Sequence, residues 1–246
     1  MNEETHVEVK VWDVPIRIIH WAFALLLVFQ FVTGKIGGDV MPLHVYSGYT
    51  MLVLVVFRIL WGFAGSTHAR FASFLSGPVA TLRFARRLFS RQAVPQLGHN
   101  PLGGWNVIAM IASLAFQAAS GLFANDGASA EGPLAQLVSL DVSNRLTELH
   151  RWNLNLLLLL SAVHVGGVLF HWVVKKENLV TPMFTGIKSV PEALVRERRE
   201  GPRSTPPRRI ASREFAYTQF PSPWRAVALL AVSVAVVWAV VGGALM

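Results

Sequence analysis

Residues 150–164 read HRWNLNLLLLLSAVH, and this stretch decides the fold. It begins and ends on histidine, with a run of leucines and no charge after Arg151. In an α-helix, 14 residues at 100° each leave His164 about 40° short of four full turns from His150. Both rings therefore face one side of one helix, about 21 Å apart along its axis. The apolar run extends over 149–174, enough to cross a hydrocarbon layer about 30 Å thick. Ionisable groups are costly there, about 2.5–3.5 kcal/mol for a central Arg or Lys on insertion scales, so they mark function.

Four further apolar runs of spanning length cover 16–34, 44–63, 105–124 and 224–245. The composition agrees: of 246 residues, 53% are hydrophobic and only 15% are charged, where a soluble domain carries about 25%. Asp13 before Pro15, Asn100 before Pro101, Thr147 before Glu148 and Ser222 before Pro223 read as helix starts. Gly34 and Gly62 stand where helices should end. The first run follows an acidic segment and lacks a cleavage site, so it reads as a retained helix rather than a signal peptide. Residues 196–209, basic and Pro-rich, read as a linker.

The net charge of +8 is a topology signal. The loop after the second run holds Arg70, Arg83, Arg86, Arg87 and Arg91 with no acid, and ten Lys/Arg lie between Lys175 and Arg213. The loop between the third and fourth runs holds Arg145 against Asp126, Glu131, Asp141 and Glu148, and the first loop holds only Lys35. The N-terminus is expected on the cytoplasmic side and the C-terminus on the outer side. The basic charge then faces anionic lipid, not nucleic acid. Val79, Leu82, Leu88 and Phe89 sit apart from Arg83, Arg86 and Arg87, a pattern that lies along the inner membrane surface.

There is no cysteine, which excludes disulfides, thiolate metal sites and covalent c-type haem. Of eight histidines, His6, His68 and His99 fall in the tail or loops and read as solvated. The others pair by depth. His44 and His150 start their runs at the outer side; His20 and His164 lie at the inner side. Two histidines facing across a bundle can hold a b-type haem by both axial positions, and two pairs would hold two haems. The same residues could instead be hydrogen-bonded core groups or a proton relay. His171, 21 residues after His150, is the alternative to His164. Arg58 lies 14 residues after His44, on its face but at the inner depth, where haem propionates would supply an anion. Arg17 is a second inner contact, with Arg151 and Lys35 as outer ones; snorkelling is the competing reading for each. Gly48, one turn after His44, and Gly166 and Gly167 beside His164 would admit a flat ring, or simply close helix packing.

Arg17-Ile18-Ile19-His20-Trp21 resembles the first-helix motif of the bacterial cytochrome b561 superfamily, which includes the b-type cytochrome subunits of nickel–iron hydrogenases. His44-Val45-Tyr46-Ser47-Gly48, with Phe57-Arg58-Ile59-Leu60-Trp61 further on, resembles its second helix. His150-Arg151-Trp152 with His164 resembles its fourth. Residues 98–105, GHNPLGGW, look like the start of the third in one hydrogenase-cytochrome-like branch. The resemblance covers about residues 10–190 and departs from the family in the basic linker and fifth span.

The resemblance implies an all-α integral membrane four-helix dihaem bundle, here with one additional C-terminal transmembrane helix. The expected organisation is a dihaem domain over 1–190, a basic cytoplasmic linker over 191–223 and a transmembrane helix over 224–246. It implies two non-covalent haem b groups on His20, His44, His150 and His164, in the bacterial inner membrane. The expected activity is electron transfer between the quinone pool and a periplasmic redox partner: a hydrogenase, a c-type cytochrome or another dehydrogenase. The chain reads as an electron-transfer subunit of an oxidoreductase, in contact with lipid and quinone, and a homodimer is an allowed arrangement. Two alternatives remain open at this point. One is a stand-alone quinone-linked oxidoreductase acting on a small species such as superoxide at the outer haem. The other is a haem-free membrane anchor or proton-relay transporter.

Overall fold

A computed structural model describes residues 6–88, 97–127, 130–192 and 219–243. In chain order the elements are β1 (His6–Lys10), α1 (Val14–Ile36), α2 (Met41–Ala64), α3 (Phe71–Phe74), α4 (Pro78–Arg87), α5 (Pro101–Gly121), α6 (Leu140–Val173), α7 (Val180–Thr185), β2 (Ile187–Pro191) and α8 (Pro223–Gly242). Helices α1, α2, α5, α6 and α8 are long and apolar enough to cross a membrane. Their outward residues are apolar: Leu25 is 72% and Trp238 74% exposed, which suits lipid and not water. The expected linker over 196–209 lies outside the described residues.

Local chemistry explains several boundaries. Asp13 starts α1 by accepting a hydrogen bond from the Ile16 amide at 2.7 Å, and Asn100 starts α5 by accepting one from the Gly103 amide at 2.7 Å. The expected helix start at Thr147 is displaced. α6 begins at Leu140, where Ser139 accepts from the Val142 and Ser143 amides. Thr147 lies inside the helix and accepts a bond from the Asn125 amide at 3.0 Å, so it fastens the preceding loop instead. At 34 residues, α6 is about 51 Å long and overshoots a bilayer core. Gly34 and Gly62 do not end their helices, which run on to Ile36 and Ala64. Both glycines serve close approach: a Cβ on Gly62 would lie 2.1 Å from the Phe71 ring, and one on Gly34 2.9 Å from His44.

The chain forms two compact units. The first, residues 18–61, 106–165 and 222–246, is the helical bundle. Its core packs Met51 and Val55 of α2, Leu114 of α5 and Leu157 of α6 against Phe23, Leu26 and Leu27 of α1. α8 belongs to this unit and buries Ser233 and Val237, one turn apart. The second unit, residues 1–17, 62–105 and 166–221, contains the only strands among the described residues. β1 and β2 pair antiparallel, with Val7 opposite Val190 and Val9 opposite Lys188. Val7 and Val9 pack on Leu97 and Val190. Helix α4 leaves Val79 and Leu82 exposed beside Arg83, Arg86 and Arg87, the apolar–basic division expected of a surface-lying helix.

Candidate functional site

A seven-residue repeat organises the bundle. His44, Met51 and Arg58 follow one another on α2 at that spacing, as do His150, Leu157 and His164 on α6. Seven residues are almost two turns, so each set lies near one face. Met51 and Leu157 meet in the core. His44 and His150 face each other to one side of it, with ring centres 6.2 Å apart and ring planes crossed at 76°. His20 of α1 faces His164 with ring centres 6.1 Å apart at 53°.

These separations test what the pairs can hold. No hydrogen bond joins two imidazoles at 6 Å. An iron between two imidazoles has metal–nitrogen bonds of about 2.0 Å, and each nitrogen lies about 1.1 Å from its ring centre. The ring centres then stand about 6.2 Å apart, so both pairs fit a metal held by two axial histidines. Two-ligand iron in a porphyrin is a chemistry this spacing suits.

The hydrogen bonds around the His44–His150 pair set its tautomers. The His150 Nδ1–H donates to the Gln117 carbonyl at 2.9 Å, and the His44 Nδ1–H to the Gln30 carbonyl at 3.1 Å. A carbonyl can only accept, so each Nδ1 carries the proton and each Nε2 presents its lone pair. Each Nδ1 also has a hydroxyl nearby: Ser120 Oγ lies 3.2 Å from His150, and Thr33 Oγ1 3.3 Å from His44. The glutamine side chains tie the helices together. Gln30 Nε2 donates to the His44 carbonyl and to Ser47 Oγ, and Gln117 Oε1 accepts from Asn153 Nδ2 at 2.6 Å. In the other pair, the buried His20 Nδ1 has no hydrogen-bond partner among the described residues.

The remaining sequence-derived residues fall as follows. Arg58 is buried at 5% exposure. Arg17 donates to the Phe184 carbonyl and lies against Gly186, in the second unit. Arg151 is exposed. A Cβ on Gly48 would meet Gln30 Nε2 at 3.3 Å, so the glycine makes room for that side chain. A Cβ on Gly166 or Gly167 would meet no atom within 4 Å among the described residues outside its own stretch of helix. The His171 Nδ1 bonds Glu177 Oε2 at 2.8 Å, and Asn100 Nδ2 lies 3.3 Å from its Nε2. Glu177 also accepts from Lys188 Nζ at 2.6 Å. Burial works against the Glu177 charge, but the bonds from His171 and Lys188 and the Lys188 charge outweigh it and hold the carboxyl down at about 2. His68 and His99, expected to be solvated, instead pack on the buried Trp12 ring, with centroids 6.4 and 4.8 Å away. The loops that carry them fold over Trp12, which sequence spacing alone does not show.

Gln30, Thr33, Gln117 and Ser120 escaped the sequence reading. Two of these contacts run through backbone carbonyls, for which residue type carries no signal. The one available sign was the recurrence of Gln, Ser/Thr and Gly at the ends of the first and third spans.

Comparison with known proteins follows the same lines. Residues 11–186 match the family described as prokaryotic cytochrome b561. A probable Ni/Fe-hydrogenase B-type cytochrome subunit of Rhodobacter capsulatus is 24% identical over 213 residues, covering 72% of this chain and 80% of that protein. Its counterpart in Rhizobium leguminosarum bv. viciae is 23% identical, covering 72% of this chain and 87% of that protein. A third, from Bradyrhizobium diazoefficiens, is 28% identical over 120 residues, 38% of this chain and 48% of that protein. No solved structure matches the chain. With crossed imidazole pairs inside an apolar bundle and a family match over most of its length, the chain belongs to the prokaryotic cytochrome b561 family and is a membrane b-type cytochrome that carries electrons.

Proposed function

We propose that the chain is a dihaem conduit passing electrons between quinone in the bacterial inner membrane and a periplasmic redox protein. His44 and His150 hold an outer haem, and His20 and His164 an inner one. The observation that carries this is the repeated ring-centre distance, 6.2 Å in one pair and 6.1 Å in the other. A haem held by each pair would supply a one-electron carrier, with a histidine on either side leaving no open position for substrate, which suits electron transfer. The chain's own contribution is to fix both ligands in advance. Gln30 and Gln117 hold the protons on Nδ1 of His44 and His150, so that Nε2 is free to bind. Arg58, buried at the inner depth, offers a fixed cation to the propionates there.

The relatives are named as hydrogenase subunits, which supports a hydrogenase as the periplasmic partner. The orientation rests on the Lys/Arg bias: N-terminus cytoplasmic, C-terminus periplasmic. Helix α6 begins at Leu140, ahead of His150, so its first turns would project on the side proposed for the partner. A proton relay is disfavoured because 6 Å between ring centres leaves no imidazole–imidazole hydrogen bond in either pair. Purification decides the matter. A pyridine haemochrome of two haems per chain and a reduced-minus-oxidised b-type spectrum are expected, and a colourless preparation would sink the proposal.

A further inference from the structure

The two histidines of the outer pair are held by the same five-residue pattern on two different helices. Residues 30–34 of α1 read QFVTG, and residues 117–121 of α5 read QAASG. In each, the Gln carbonyl accepts from the imidazole Nδ1–H, the hydroxyl three residues later stands at the same Nδ1, and the glycine four residues later lies against the ring. The distances match: 3.1 and 3.3 Å from His44 Nδ1 to Gln30 O and Thr33 Oγ1. The corresponding distances are 2.9 and 3.2 Å from His150 Nδ1 to Gln117 O and Ser120 Oγ. A Cβ on Gly34 would fall 2.9 Å from His44 Cε1, and one on Gly121 3.1 Å from His150 Cε1, the same ring atom in both. Thr33 and Ser120 are buried, at 5% and 3% exposure.

The hydroxyl protons are already committed. Thr33 Oγ1 donates to the Phe29 carbonyl at 2.8 Å, and Ser120 Oγ to the Gln117 carbonyl at 3.1 Å. Towards the imidazole each hydroxyl can therefore only accept. Each Nδ1–H is shared between two acceptors in fixed positions, and the ring edge is backed by a helix with no Cβ. One acceptor leaves an imidazole free to swing about the hydrogen bond; two acceptors and a steric wall define its plane. The two planes cross at 76°.

We propose that the two Gln-x-x-Ser/Thr-Gly turns are a duplicated clamp that holds the axial imidazoles of the outer haem crossed. This rests on the dihaem reading above. Crossed axial imidazoles bring two iron orbitals close in energy, and the oxidised low-spin haem then gives a strongly anisotropic EPR signal with an unusually high largest g-value. Such a signal reports the angle between ligand planes, which stability alone does not move.

The experiment uses the full chain in detergent, with haem counted and EPR recorded on the same oxidised sample. The outer signal is identified as the one lost in His150→Ala. Wild type should show it strongly anisotropic, and a signal typical of parallel planes would overturn the proposal. In Thr33→Val/Ser120→Ala the rings lose one acceptor each. The expected result is two haems, a lowered largest g-value for the outer haem and an unchanged inner signal. The conservative Thr33→Ser/Ser120→Thr keeps both hydroxyls and should restore the wild-type signal. An unaltered outer signal in the first variant with two haems bound overturns the clamp. If the first variant loses the outer haem, retention by the conservative one supports the clamp, and its loss in both overturns it. A wild type without haem refutes the dihaem reading itself, an outcome visible before any variant is made.

Discussion

The two histidine pairs are alike in spacing and unlike in support. The His44–His150 pair directs both Nδ1 protons at the Gln30 and Gln117 carbonyls, with Thr33 and Ser120 alongside. The His20–His164 pair includes a buried His20 Nδ1 with no hydrogen-bond partner among the described residues. On the proposed function these are the outer and inner haem sites, and the first is fixed by the fold before any ligand binds. The other has the right separation without the same orientation, so binding must supply the order. Pre-organised ligands bind with less ordering cost, so the outer site should be the tighter and more rigid of the two.

The largest effects come from removing a ligand. His44→Ala or His150→Ala should halve the haem content, from two per chain to one, as measured by pyridine haemochrome. His164→Ala should remove the other haem. His171→Ala should leave both, because His171 is engaged by Glu177 and Asn100. Two haems in His44→Ala would break the outer pairing, and haem loss in His171→Ala would break the inner one. Next comes the layer between the pairs. Leu157 is 1% exposed and packs with Met51 and Leu114. Leu157→Ala should cost about 2–4 kcal/mol through the cavity it leaves. Thermal release of haem should fall in temperature for both sites. A loss confined to one site would show that Leu157 supports that pair alone.

Much of this arrangement was legible in the sequence. The spacing between His150 and His164, the apolar runs and the shared face of His44 and Arg58 required only helical geometry. Asp13 and Asn100 announced their helix starts by residue type. What escaped detection depends on backbone groups or on polar helix. The first turns of α6 carry Asp141, Asn144, Arg145 and Glu148, so hydropathy places them in a loop, although charged residues suit a helix that projects from the bilayer. The β1–β2 pair was hidden because a five-residue strand is defined by its partner, and its partner lies about 180 residues away. The imidazole contacts to Gln30 and Gln117 run through carbonyls that every residue possesses.

A smaller effect separates the haems electrically. Arg58→Leu removes a buried cation, which the proposed function places at the inner haem. A cation favours the reduced, less positive haem, so its loss should lower the inner potential by about 60 mV, equivalent to ~1.4 kcal/mol for one electron. The outer potential should stay in place. Redox titration followed at the b-type absorption resolves the two, and an unchanged inner potential would show that Arg58 serves packing or lipid.

The smallest effect lies where the inner pair had a rival ligand. Glu177 joins His171, near the end of α6, to Lys188 on β2. Its carboxyl is held at about 2, below an ordinary value of 4.5. For an acid whose pKa is lowered by folding, the stabilisation is present above the unfolded value and is lost as pH falls through the folded one. The clasp should therefore weaken between pH 4.5 and about 2. Glu177 is 19% exposed and Lys188 6% by side chain, so screening is partial and about 1–2 kcal/mol is at stake. Protection from hydrogen exchange over residues 177–190, taken relative to the intrinsic rate at each pH, should fall across that window in the wild type. Glu177→Gln should be less protected at neutral pH, with little further loss on acidification, because it already resembles the protonated form. Haem content should remain two per chain throughout. If Glu177→Gln changed the inner haem's spectrum instead, His171 would be acting on the iron, and the inner site would differ from the outer in its ligand as well as in its support.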